Sequence, residues 1–277
     1  MRLNIIGLGR LGKTLARLFI AHDLLEVQSI CSINQSNVHE FIRETKQGQA
    51  YRDIREIPRA AITMISTPDN EIERVALNLS MNLNIQPGDI FFHCSGLLSS
   101  NALLPIRDRG GIIASAHPLR SFTHHVQESY AGTYCAIEGE QQATAFLQNL
   151  FKKIGFIPFI MNCDKKVLYH AGAVFASNYL VTLFHQATRC IEAADVSPEM
   201  SKEIVLSLMQ GTLENLKNQD AGDALTGPLM RGDTKTIAAH LDVLNDAKAL
   251  YQELAKATLP LTQHMEETLH KLRQLLD

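Results

Sequence analysis

A glycine motif at the start of the chain restricts the fold most. Gly7-Leu8-Gly9-Arg10-Leu11-Gly12 has the spacing G-x-G-x-x-G. Before it, Leu3, Ile5 and Ile6 read as a buried strand. From Lys13 to Ile20 the pattern turns helical, with Leu15, Leu18 and Phe19 on one face. Strand, glycine turn and helix in this order is the setting in which such a motif binds a dinucleotide. Gly7 is expected to allow the tight turn, Gly9 to let the backbone approach a pyrophosphate, and Gly12 to let the helix pack close to the strand. The free N–H groups and positive end of the helix dipole would then face the phosphates. A plain strand-to-helix turn is the competing reading of the same glycines.

With 277 residues the chain has room for two domains or one large one. A chain of this size buries roughly 75% of the surface its unfolded form exposes, so its core needs no metal or disulfide. Apolar residues make up 45% and charged residues 20%, as in ordinary soluble proteins. A net charge of −3 gives no reason to expect nucleic acid or an anionic membrane as a partner. The five cysteines, Cys31, Cys94, Cys135, Cys163 and Cys190, form no C-x-x-C pair and are odd in number. That fits free thiols in a reducing cytosol, hence a cytoplasmic protein, rather than a disulfide framework. No signal peptide precedes the first strand. The longest apolar run, Ala171 to Phe184, contains Ser177 and Asn178 and is too short to span a membrane.

Apolar strands alternate with helices through the first half: Glu26 to Ile33, Ala60 to Thr67, Ile90 to Cys94, Ile112 to Ala116, Tyr134 to Ile137 and Phe156 to Ile160. This alternation predicts a doubly wound, mostly parallel sheet, an α/β class. Ligands in such sheets bind beyond the carboxyl ends of the strands. Thr67-Pro68, Ser95-Gly96 and His117-Pro118 all stand at such ends, where loop geometry alone would also place prolines and glycines. About 20 residues past the glycine turn, an NAD site carries an acidic residue for the ribose 2′-hydroxyl. Here the zone reads Cys31-Ser32-Ile33-Asn34-Gln35-Ser36-Asn37, with no carboxylate before Glu40. Small polar side chains such as Ser32 and Asn34 suit a 2′-phosphate, which favours NADP over NAD, with Arg43 as a candidate cation. The same stretch also reads as a polar loop without ligand contact.

After Cys163 no strand pattern returns, which predicts an all-α second domain and a boundary that divides the chain into 1–163 and 164–277. Asp164 to about Ala194 reads as one long helix, apolar around much of its circumference and expected to be buried. His170 and Ser177 fall near one face of it, with Asn178 adjacent. A histidine positioned there suits proton transfer near neutral pH. His170 and Asn178 are therefore the catalytic candidates, and His117 and Ser177 substrate-side candidates, against a structural histidine in a core helix. In Leu225-Thr-Gly-Pro-Leu-Met-Arg-Gly-Asp233, Arg231 suits a two-pronged contact to a carboxylate substrate; a loop-shaping contact with Asp233 is the equal alternative. His124-His125 and the other histidines lack metal-ligand spacing, so no metal site is expected.

Together these motifs, with His93-Cys-Ser-Gly96, His117-Pro-Leu-Arg-Ser-Phe122 and the helix from Tyr169-His170 to Ser177-Asn178-Tyr179, resemble the Rossmann-like proteins with a C-terminal helical domain of unknown function. The resemblance covers nearly the whole chain. It implies an NAD(P)-binding domain, then a helical domain through which such proteins often form homodimers. More distantly the chain is similar to the 6-phosphogluconate dehydrogenase-like group, which includes pyrroline-5-carboxylate reductase. Neither resemblance supplies a substrate, and fold alone does not license one.

The expectation is thus an oxidoreductase that prefers NADP and moves a hydride to or from a small metabolite. Thr67-Pro68 and Ser95 would line its nicotinamide side. A nucleotide-binding or redox-sensing protein without turnover is the alternative.

Overall fold

A computed structural model describes residues 1–122 and 129–277. They form two compact units, Met1–Ser177 and Asn178–Asp277. The division falls later in the chain than the expected boundary at 163, because the first helix after that point is anchored to the sheet.

The first unit runs β1 (Arg2–Ile6), α1 (Arg10–Ala21), β2 (Glu26–Cys31), α2 (Gln35–Thr45), β3 (Gln49–Tyr51), β4 (Ile62–Ile65), α3 (Asp69–Asn82), β5 (Ile90–His93), α4 (Leu104–Arg107), β6 (Ile112–Pro118), β7 (Tyr134–Gly139), α5 (Gln141–Lys153), β8 (Ile157–Ile160) and α6 (Lys166–Ala176). Its eight strands lie in the order β3-β2-β1-β4-β5-β6-β7-β8. Every neighbouring pair is parallel except β6–β7. The central strands are buried along nearly their whole length, as strands covered on both faces must be. Leu15, Phe19, Val38, Phe41, Leu147 and Phe151 bring α1, α2 and α5 into one apolar cluster. Ile72, Val75, Leu79 and Ile106 bring α3 and α4 into a second. The chain lays β2 and β3 to one side of β1, then returns with β4 to its other flank. That reversal opens a crevice beyond the carboxyl ends of β1 and β4.

The second unit is helical: α7 (Asn178–Glu192), α8 (Pro198–Asn218), α9 (Ala221–Ala224), α10 (Pro228–Arg231), α11 (Thr234–Val243), α12 (Lys248–Thr258) and α13 (Glu266–Leu276). Ser197 caps α8 by accepting the Met200 N–H, with Pro198 in the first turn. A small core joins Ile237 and Leu241 to Ala255, Leu259, Leu272 and Leu276.

The helix expected from Asp164 to Ala194 is present over Cys163–Glu192, but it is broken at one residue and it is not buried. The backbone turns at Ser177 (φ −120°, ψ −66°), which separates α6 from α7. Its apolar side chains point outward, with Leu168 73% and Val181 67% exposed. The periodicity marks an apolar face, but no other part of the described chain covers it. By length and composition the stretch Cys163–Glu192 would be able to cross a membrane. Lys166 at its start, however, is buried in an ion pair with Glu138 of the sheet.

Candidate functional site

The glycine loop lies in the crevice between β1 and β4. Gly7 has φ +87°, and a Cβ there would come within 2.9 Å of the Thr67 backbone nitrogen and Cγ2. A Cβ on Gly12 would strike Ser66 Oγ and, at 2.9 Å, the Gly7 carbonyl oxygen. Ser66 Oγ donates to that same carbonyl at 2.6 Å, which ties the β4 end to the loop. Gly9 differs, since nothing lies within 4 Å of where its Cβ would stand. It is the N-cap of α1 with no side chain capping the helix. The first-turn N–H groups, which have no partner inside a helix, therefore open onto free space. Leu8 is buried and Leu11 packs on the core, so both offer the loop only backbone. Thr67 Oγ1 is buried without a hydrogen-bond partner at the rim of the crevice, beside the exposed Pro68 that opens α3. An open cradle of amides and an orphaned hydroxyl fit a dinucleotide pyrophosphate.

At the end of β2, Ser32 Oγ accepts the Leu8 N–H at 3.4 Å. Asn34 caps α2: its Oδ1 accepts the Asn37 N–H at 3.2 Å and the Ser36 hydroxyl at 2.7 Å. Only its Nδ2 is left for a ligand. Arg43, the cation expected for this zone, lies further along the same helix. It stands in the last turn of α2, about 12 Å along the axis from the helix start at 1.5 Å per residue. Arg10 opens α1 instead and is exposed. Between α1 and α2, Lys13 pairs with Glu40 at 3.1 Å and Arg17 with Glu44 at 2.6 Å. One turn earlier the same two helix faces carry Arg10 and Ser36, a cation without a carboxylate.

Beyond β4 in the sheet, the end of β5 leads into His93-Cys94-Ser95-Gly96. His93 is fully buried. Its Nδ1 accepts the Ser95 N–H at 3.2 Å, which leaves Nε2 as the protonated nitrogen, donating to the Ser99 carbonyl at 3.0 Å. Ser95 Oγ in turn accepts the N–H groups of Leu97 and Leu98. Ser95 thus shapes this loop, and its hydroxyl oxygen is engaged there. Burial first, and the Lys166 cation second, push His93 down to about 3.

The loop so held carries Gly96 against two imidazoles. A Cβ there would come within 2.6 Å of His170 Cδ2 and 2.8 Å of His117 Nε2 and Cε1. Only glycine lets both rings close over this strand end. His117 at the end of β6 meets Tyr169 on α6, Nδ1 to Oη at 2.9 Å, and its ring stands edge-on to both Tyr169 and His170. Burial, then the Lys166 cation and His170, lower His117 to about 4. Burial also raises the Tyr169 phenol. The result is an imidazole kept neutral, with Nδ1 engaged and Nε2 turned towards the Gly96 loop. Motif reading includes Tyr169 without giving it a role. It gives Lys166 and Glu138 no role.

Ser177 ends α6, its Oγ 3.3 Å from Ser121 Oγ. The other candidates lie in the second unit. Asn178 opens α7. Arg231 is exposed between Gly227 and Gly232, both with positive φ. Asp233 caps α11 through the Thr236 N–H and hydroxyl. The segment expected as a loop contains the short helix α10. Among the described residues no group of three or more His, Cys, Asp or Glu side chains is placed to hold a metal; His124 and His125 lie outside the described residues.

Residues 1–118 match the model of the Rossmann-like domain, and residues 133–258 match DUF2520, a domain of unknown function. The chain carries both domains, in that order. The DUF2520 match begins at the antiparallel strand β7, so it takes in β7, α5, β8 and α6 as well as most of the helical unit. No curated protein matches the sequence. Protein TM1727 from Thermotoga maritima is 25% identical, with a TM-score of 0.74 over 94% of this chain and 98% of its own. BF3122 from Bacteroides fragilis, provisionally assigned as an NADP oxidoreductase, is 18% identical, with a TM-score of 0.78 over 94% and 98%. Pyrroline carboxylate reductase from Plasmodium falciparum, solved with NADP bound, is 14% identical, with a TM-score of 0.60 over 100% and 98%.

Proposed function

We propose that this protein is an NADP(H)-dependent oxidoreductase acting on a small metabolite. The observation that carries the reading is the occurrence on one sheet of an open amide cradle at Gly9 and a neutral, tyrosine-held imidazole at His117. The BF3122 and pyrroline carboxylate reductase likenesses support it. Backbone amides of Gly9, Arg10 and Leu11 bind the pyrophosphate. Thr67 Oγ1 gains the partner it lacks. Arg10 and Ser36 take the 2′-phosphate at the rung of the α1–α2 ladder where a carboxylate is missing, so NADP is preferred over NAD. The nicotinamide group supplies or takes up the hydride. His117 holds the proton that leaves or joins the substrate heteroatom, Tyr169 fixes the ring, and His170 closes the same space. Free thiols fit a reducing, cytoplasmic setting.

The outward apolar faces of α7 and α8 in the helical unit, including Val181 and Leu208, support assembly into a homodimer. A patch of this kind on a soluble chain marks an interface. Sedimentation or light scattering that finds only a monomer at micromolar concentration would remove this part of the reading.

The deciding experiment is thermal unfolding with NADPH and NADH in parallel, followed by calorimetry because the chain has no tryptophan. A ligand at 100 times its Kd adds about 2.7 kcal/mol to the folded state. A larger shift with NADPH is expected. No shift with either nucleotide at millimolar concentration overturns the proposal. A shift without turnover of any carbonyl or imine compound favours a nucleotide-binding protein that moves no hydride.

A further inference from the structure

Lys166 is 2% exposed at the start of α6, a position where lysine is normally solvated. Its Nζ donates to Ser115 Oγ and, at 3.1 Å, to Glu138 Oε1. Glu138 on β7 is equally buried and accepts two more hydrogen bonds, from the Ser100 N–H at 2.8 Å and the Ser100 hydroxyl at 2.7 Å. Every polar atom of the pair is engaged. Such pairs are seldom retained for stability alone, because well-packed apolar replacements are often neutral or stabilising.

The position of the pair explains it better. Ser115 and His117 are two residues apart on β6 and share one face. Lys166, Tyr169 and His170 stand at i, i+3 and i+4 on α6 and share one helix face. The two series meet rung for rung, Lys166 on Ser115 and Tyr169 on His117. We infer that Lys166, held by Glu138 and Ser115, is a positioning residue: it sets the register of α6 on β6 that brings Tyr169 and His170 onto His117, and it keeps one buried positive charge beside that imidazole. The inference rests on the reading of His117 as the proton-handling group.

The titratable groups that interact electrostatically with His117 or Lys166 are His93 at the end of β5 and Cys94 just after it, Cys135 and Glu138 from β7, Asp69 at the start of α3, and His170 from α6, while Tyr169 is hydrogen-bonded to His117. Glu138 is the anion that balances Lys166. The ammonium acts on both buried imidazoles and lowers each, so a second positive charge is disfavoured on either ring.

The test is imidazole nitrogen NMR on the full chain, with the His117 signal assigned by its loss in His117→Asn. Lys166→Met is compared with the double variant Lys166→Met/Glu138→Gln, which removes both charges and leaves no unpaired carboxylate. In the folded double variant the His117 midpoint is expected to rise by about one pH unit or more, and its nitrogen shifts to change from one neutral tautomer to a mixture. A folded double variant with the wild-type midpoint and tautomer overturns the inference. So does a double variant that fails to fold, which would make the pair purely structural. Failure of the oxidoreductase reading shows separately, as absent NADPH binding by a wild-type protein whose His117 spectrum is still readable.

Discussion

His117 Nδ1 lies 2.9 Å from Tyr169 Oη, across 52 positions of sequence. The contact joins the end of a sheet strand to the second turn of α6. It commits one ring nitrogen to the protein and directs the other towards Gly96.

Tyr169→Phe keeps the ring and removes this hydrogen bond. A typical net hydrogen bond contributes about 1 kcal/mol, so urea unfolding should show a loss of that order. In an active preparation, turnover should fall more than NADPH affinity. Unchanged stability together with unchanged turnover would show the contact to be idle.

Gly96→Ala places a methyl group where both imidazoles already stand, 2.6 Å from one and 2.8 Å from the other. Overpacking of this kind costs about 1–3 kcal/mol. A lowered Tm is expected, with a displaced His117 resonance. A variant as stable as the parent would mean that the rings move apart freely, and the cluster would lose its claim to a fixed geometry.

The first and second glycines of the loop should fail in different ways. Gly7→Ala is strained at φ +87° and meets Thr67, so it should lower stability. Gly9 has φ −76° and ψ −171°, which any residue adopts, and open space around it. Gly9→Val should therefore fold with a near-parental Tm and lose NADPH binding by at least about tenfold, equivalent to about 1.4 kcal/mol. Retained binding in a folded Gly9→Val protein would remove the pyrophosphate from this loop.

This contrast marks what the sequence makes legible. The glycine motif is local: strand, turn and helix are contiguous, and each glycine has a steric reason within reach. The alternation of strands and helices likewise implies the doubly wound sheet, although β3, only Gln49–Tyr51 and without a fully buried residue, carries too little pattern to be read. The imidazole cluster is not local. His117 and His170 each read as a candidate alone, and only the packing of α6 on β6 joins them through Tyr169. The role of Lys166 could not be read for the same reason, since a lysine at a helix start normally faces water and Glu138 lies 28 residues away. The apolar period of Asp164 to Ala194 reports a face that needs cover. It does not say whether that cover comes from the same chain.

Acid should destabilise the fold through its buried imidazoles. His117 and His93 titrate at about 4 and about 3 in the folded chain, against about 6.5 when unfolded. Below pH 6.5 the unfolded chain therefore binds protons that the folded chain refuses. Stability is fully present above about pH 6.5 and declines down to about pH 4 for His117 and about pH 3 for His93, by up to about 1.4 kcal/mol per pH unit for each ring. Asp53, held at about 2 beside Arg55, adds its own decline only below about pH 3.9. Urea unfolding at pH 7, 5.5 and 4.5 should show the decline, and His117→Asn should flatten it in part. A flat profile would mean that the rings open to water before they titrate.

Cofactor choice should turn on the α1–α2 ladder. Lys13–Glu40 and Arg17–Glu44 occupy two rungs; Ser36 stands four residues before Glu40 and Arg10 three before Lys13, one helical turn earlier in each case. Ser36→Glu supplies the missing carboxylate. It would pair with Arg10 and repel a 2′-phosphate, while an unphosphorylated ribose could accept hydrogen bonds from Arg10 or donate to the new carboxylate. The stabilisation by NADPH should drop by at least about tenfold in apparent affinity, about 1.4 kcal/mol, with that by NADH unchanged or improved. Arg10→Ala should weaken NADPH alone. Calorimetric titration of both nucleotides against the parent and the two variants decides the matter. Equal losses for NADPH and NADH would place Arg10 at the pyrophosphate only, and no loss for either would take the 2′-phosphate away from this rung.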